Sequence, residues 1–141
     1  MKYLLTICSN DKDPRPEPLP ARERYQSEFM QRVIQRGEAT DIPVLILSGE
    51  HGLLRLNSPV AYYDHALTED DVPRMVPLVA DQLEDLGVTE IEAYIKRDRD
   101  VPGWAPYYEL LELGTHAASV DLHYIEPEFL EPHRETSISF R

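Results

Sequence analysis

At 141 residues the chain is long enough for one domain with one proper core and too short for two. Its 26 acidic and 14 basic residues leave a net charge of −12, which disfavours a general nucleic-acid binder, because gripping a phosphate backbone takes a basic face. Only Lys2, Lys12 and Lys96 are lysine, and acid excess with scarce lysine suits a high-salt cytoplasm, where self-repulsion is screened.

No stretch reaches the roughly 20 apolar residues of a membrane span. A single cysteine, Cys8, excludes an intrachain disulfide and fits a reducing compartment. The opening MKYLLTICS has too short an apolar run for a secretory signal, and Asn10–Asp13 follows it without a small-residue cleavage site. It reads as the first strand, over Lys2–Cys8, of a cytoplasmic protein.

Ser9–Pro20 holds Pro14, Pro16, Pro18 and Pro20 and predicts a loop without helix or ladder. Ala21–Arg36 predicts a helix with Tyr25, Phe29, Val33 and Ile34 inward and Gly37 as its stop. The unbroken apolar run Val44–Leu47 predicts a strand covered on both faces. Ser58–Leu67 reads as loop. Thr68-Glu-Asp-Asp71 is a helix-start signal, and the helix is expected from Val72 to Leu86, with Pro77 as a possible kink. Thr89–Ile95 predicts a third strand, Gly103–Leu113 a helix closed by Gly114, and Ser119–Ile125 a fourth strand. This order implies an α/β domain over 1–125, a mainly parallel four-stranded sheet with helices on both sides. The acidic, proline-containing residues 126–141 predict an arm or tail.

Ligands of open α/β sheets bind beyond the carboxyl ends of the strands. The first two strands end there in Cys8-Ser9 and in Ser48-Gly49-Glu50-His51-Gly52. Cys8 reads either as a nucleophile or as a small buried hydrophobe, and Ser9 as a ligand contact or a turn residue. Lys12 suits a phosphate or plain solvation. Glu50 and His51 form the candidate base and electrostatic stabiliser, with Gly52 permitting close backbone approach. Asp64 suits orienting water or capping a turn, while Tyr62 or Tyr63 suits stacking a planar base or core packing. The histidines show no metal-ligand spacing, and the dinucleotide, Walker and serine-esterase motifs are all missing, so no metal or cofactor is expected.

Four motifs in order carry a resemblance: Cys8-Ser9-x-x-Lys12, then Ala21-Arg22-x-x-Tyr25-x-Ser27-x-Phe29, then Ile46-Leu47-Ser48-Gly49-Glu50-His51-Gly52-Leu53, then Tyr63-Asp64. Together they resemble the small YaaA-like domains and a domain within archaeal transglycosylase-like proteins of archaeosine synthesis. The resemblance covers Met1–Asp64 well and the remainder loosely. It implies a three-layer sandwich of the uracil-DNA glycosylase type and a role in nucleobase or modified-base metabolism. The implied function is binding of a nucleobase, nucleoside or nucleotide, extending to N-glycosidic cleavage or base exchange. His51, Glu50 and Asp64 then stand as catalytic residues, and Cys8, Ser9, Lys12, Arg22, Tyr25, Ser48, Gly49, Gly52 and Tyr63 as substrate-binding residues. The chain departs from the family pattern at Glu50, where lysine is usual. An acid there weakens anion binding and supplies a candidate general base. The competing readings are a non-catalytic ligand-sensing or nucleic-acid-associated module, and a docking domain using its acidic surface and tail.

Overall fold

A computed structural model describes residues 1–9, 11–95 and 103–125. The expected arm at 126–141 lies outside the described residues. Four parallel strands, β1 (Lys2–Ile7), β3 (Val44–Ser48), β6 (Glu90–Tyr94) and β7 (Asp121–Ile125), form the body of one sheet. The short β4 (Gly52–Arg55) adds to its edge antiparallel to β3, giving the order β4-β3-β1-β6-β7. A separate antiparallel pair joins β2 (Leu19–Pro20) to β5 (Pro59–Val60).

Alternation along the strands divides the core in two. Tyr3, Leu5, Leu45, Leu47, Ile91 and Ala93 face α3 (Val72–Asp85) and α4 (Ala105–Ala117). Leu4, Val44, Ile46 and Tyr94 pack in a second cluster with Met30, Val33 and Ile34 of α2 (Glu28–Thr40). Leu47 is fully buried, and truncation of such a residue to alanine costs about 2–5 kcal/mol.

Four expectations are corrected. The sheet has five strands, because Gly52 at φ +73° lets the chain reverse after Ser48 and return as β4. The segment expected to be all loop contributes Leu19–Pro20 to the small pair, and Lys12 makes a bridge with Tyr25. A two-residue edge strand tolerates the missing proline N–H. The single helix expected over 21–36 is two. The first, α1 (Ala21–Arg24), ends at an extended Tyr25, and Ser27 then caps α2 by accepting the Met30 N–H at 3.1 Å. Finally, Gly37 and Gly114 lie inside α2 and α4 instead of ending them. A Cβ on Gly37 would strike the Val44 side chain, and one on Gly114 would sit 2.7 Å from Val79 Cγ1, so both glycines allow close packing. Asp41, in the left-handed region at φ 59°, caps α2.

The Thr68 signal is a capping box with Asp71, opening a 3-10 turn (Glu69–Asp71) that runs into α3. Pro77 is accommodated within α3. Among the described residues, no helix is long and apolar enough to cross a membrane.

β1 leaves the sheet toward the α2 face, whereas the chain beyond β3 and β4 enters α3 on the other face. The adjacent carboxyl ends of β1 and β3 therefore send their chains to opposite faces, and ligands of open α/β sheets bind beyond such strand ends.

Candidate functional site

A line of hydroxyls crosses this point. Ser48 closes β3, fully buried, and its Oγ accepts the backbone N–H groups of Glu50 and His51, each at 3.1 Å. That serine thus shapes the turn carrying Glu50 and His51. Ser48 Oγ lies 2.9 Å from the Tyr63 hydroxyl, which lies 2.6 Å from the hydroxyl of Tyr25. Tyr25 is 1 % exposed and meets Tyr63 edge-on, with ring centroids 6.4 Å apart.

Each partner is delivered by a local feature. Tyr25 sits in the break between α1 and α2, where the Asp13 N–H donates to Arg24 O at 2.7 Å and the Gln26 N–H to Asp11 O at 2.8 Å. These bonds also bring Lys12 alongside, its Nζ 4.7 Å from the Tyr63 ring centroid, a cation–π contact. His51 packs edge-on against Tyr63 at 5.2 Å, and its Nε2 is buried without a hydrogen-bond partner among the described residues.

On the other side of the strand ends, Cys8 Sγ lies 3.8 Å from the Tyr107 hydroxyl, which accepts the Leu67 N–H at 3.3 Å. Burial, with the Cys8 thiol nearby as a second cause, pushes Tyr25 up to about 12. The same two causes raise Tyr63 and Tyr107 well above the ordinary phenol value. All three phenols are neutral hydrogen-bonding groups near neutral pH.

Of the residues singled out in the sequence, the structure brings together Cys8, Lys12, Tyr25, Ser48, Gly49, His51 and Tyr63. Gly49 belongs because a Cβ there would lie 2.8 Å from Leu67 N and 3.0 Å from the Tyr107 hydroxyl. Gly52 supplies the positive φ of the turn. Ser9 donates to Asp11 O at 2.7 Å within its own loop. Arg22 pairs with Glu38 of α2 at 3.2 Å, outside the hydroxyl line. The Glu50 and Asp64 side chains are exposed, and neither carboxylate makes a hydrogen bond or ion pair among the described residues.

Three supporting residues escaped sequence reasoning. Arg24 is fully buried and donates to the carbonyls of Val60, Asp13, Arg15 and Glu17, tying the proline-rich loop to β5. Gln82 of α3 clamps the turn after β3. Its Oε1 accepts the Leu53 N–H at 2.7 Å, and its Nε2 donates to the carbonyls of His51 and Leu53. Tyr107 looked like one aromatic of a helix face. A polar residue within an otherwise apolar helical stripe is the one signal that pointed to Gln82, and Arg24 carried none. No group of His, Cys, Asp and Glu suited to holding a metal ion occurs among the described residues.

No curated protein and no solved structure matches the chain. One family model matches, described as a family of unknown function (DUF6884), over residues 4–93. That span runs from β1 into β6 and holds the whole hydroxyl line, Lys12, His51 and Gln82, while Tyr107 lies beyond it. With more than half its length matched, the chain belongs to the DUF6884 family.

Proposed function

We propose that the domain binds a nucleobase, nucleoside or nucleotide at the carboxyl ends of β1 and β3. The observation that carries this reading is the convergence of the Ser48–Tyr63–Tyr25 hydroxyls with a buried, unpartnered His51 Nε2 at a diverging point of the sheet. Buried polar atoms in native proteins nearly always have partners, so an orphan nitrogen beside a strand-end crevice suits a ligand. The half-buried ring of Tyr63 offers apolar surface for a planar group. The resemblance to YaaA-like and archaeosine transglycosylase-like domains, with their uracil-DNA glycosylase type of sandwich, supports the same ligand class.

The geometry favours binding over N-glycosidic cleavage. Cleavage builds positive charge on the sugar and calls for a carboxylate beside it. The titratable groups brought together at the hydroxyl cluster are phenols, a thiol and the His51 imidazole, with no carboxylate among them, and Glu50 and Asp64 are exposed. A ligand-sensing module is therefore the reading that these side chains serve best.

A thermal-shift screen of nucleobases, nucleosides and nucleotides, deazaguanines included, tests it on wild type and His51→Ala. A ligand that binds the folded state raises Tm by mass action. Stabilisation of wild type and not of the variant supports the site. No shift with any compound removes the reading.

A further inference from the structure

We infer that the ligand presents an oxo group to the Tyr25–Tyr63 pair, so that the site selects oxo bases over their amino counterparts. This rests on the nucleobase reading above and adds which chemical edge is read.

The argument is a count of hydrogens. A serine hydroxyl has one hydrogen and two lone pairs. Both lone pairs of Ser48 Oγ are taken by the Glu50 and His51 N–H groups, so its hydrogen donates to Tyr63. Tyr63 and Tyr25 then hold two hydrogens between them and share one bond. Whichever phenol donates in that bond, the other keeps a hydrogen with no acceptor among the described residues. Among the described residues nothing reverses this, because reversal would need a third lone pair on Ser48.

A neutral donor left over in a buried site is completed by an acceptor and left unsatisfied by another donor. An oxo oxygen is such an acceptor; an exocyclic amine is not. His51 Nε2 lies on the ring packed against Tyr63, and with its hydrogen on Nδ1 it accepts the N–H next to an oxo group. An adjacent donor and acceptor of this kind match a lactam edge, and an amino base presents the opposite order. The phenols hold their hydrogens throughout the neutral range, as any phenol does, and burial raises both further.

The test compares dissociation constants, by calorimetry on the full chain, for inosine against adenosine and uridine against cytidine, with inorganic phosphate as a separate probe. The expected result is tighter binding of the oxo member of at least one pair by about tenfold. In the Tyr25→Phe/Tyr63→Phe double variant that ratio falls toward one. The wild-type ratio stands by itself should the double variant not fold. Equal affinities within both pairs, or tighter binding of an amino member, overturn the oxo preference and leave the nucleobase site standing. Binding of phosphate with none of any nucleoside assigns the spare hydrogen to a phosphate oxygen and overturns both. Binding of no probe removes the nucleobase site and the inference with it.

Discussion

Ser48 and Tyr63, 15 positions apart, meet hydroxyl to hydroxyl at 2.9 Å, and through that bond the end of β3 is tied to the loop that follows β5. Ser48→Ala removes the acceptor of two backbone N–H groups and the donor to Tyr63 at once. Each buried group left unsatisfied costs about 1–3 kcal/mol, so the variant should lose about 3 kcal/mol in urea denaturation. An unchanged midpoint would mean that water replaces the hydroxyl at no cost.

Arg24 makes four hydrogen bonds to carbonyls and none to a carboxylate among the described residues. Its planar fork spans those carbonyls, which a lysine ammonium cannot do. Arg24→Lys should therefore destabilise the protein by about 2 kcal/mol or more and expose residues 13–17 to limited proteolysis. Cleavage elsewhere, with that loop intact, would show that the prolines alone hold it.

Gly49 touches backbone on its crowded side: the nearest atom to an added Cβ is Leu67 N at 2.8 Å. Main chain yields less readily than a side-chain tip, so Gly49→Ala should cost about 1–3 kcal/mol. Gly87, at φ +67° with open space around its Cα, offers the contrast, since an alanine there suffers backbone strain of about 1 kcal/mol and no collision. Comparing the two Tm values separates crowding from conformation, and equal losses would refute the crowding.

Raised phenol values give a sign for alkaline stability. Tyr25 ionises near its ordinary value of 10.0 when unfolded and at about 12 when folded. The unfolded chain thus releases its proton first, and stability that is whole below pH 10 falls as pH rises from 10 toward 12. Tyr63 and Tyr107 shift in the same direction and add to the loss. Denaturation midpoints across that window, alongside the ultraviolet signal of tyrosinate, check it. In Tyr25→Phe the alkaline fall should be shallower.

A net charge of −12 on 141 residues predicts that added salt stabilises the fold by screening repulsion among the acids. Melting in potassium chloride from low to molar concentration should show a rising Tm. A flat profile would mean that the local ion pairs, such as Lys2–Glu92 and Arg32–Glu28, already balance the repulsion.

β1 and β3 were legible as compact apolar runs, β6 from the alternation of its apolar and polar residues, and the Thr68 start signal because capping is local chemistry. β4 was not, since Gly52–Arg55 is short and its sense depends on one glycine torsion. The break at Tyr25 hid within a stretch whose spacing suits a helix throughout; the bonds that impose it come from Asp11 and Asp13. Ser48 and His51 were visible as candidates from their place at a strand end, Tyr63 as a ring in the loop beyond it, and Tyr25 only through the motif that carries the family resemblance. Their joining was not, because no local pattern records a contact between distant segments. Glu50 and Asp64 drew attention as carboxylates, yet chemical type alone does not say which side of a loop faces solvent.

β1 is bonded to β3 and β6 along both edges and covered by helices on both faces. Its amides should be the last in the molecule to exchange with heavy water, opening only when the whole domain unfolds. The tips that meet the crevice open through smaller fluctuations. Mass-resolved exchange can then separate two effects of any added compound, a general tightening felt in β1 and a local quieting confined to the turn at His51.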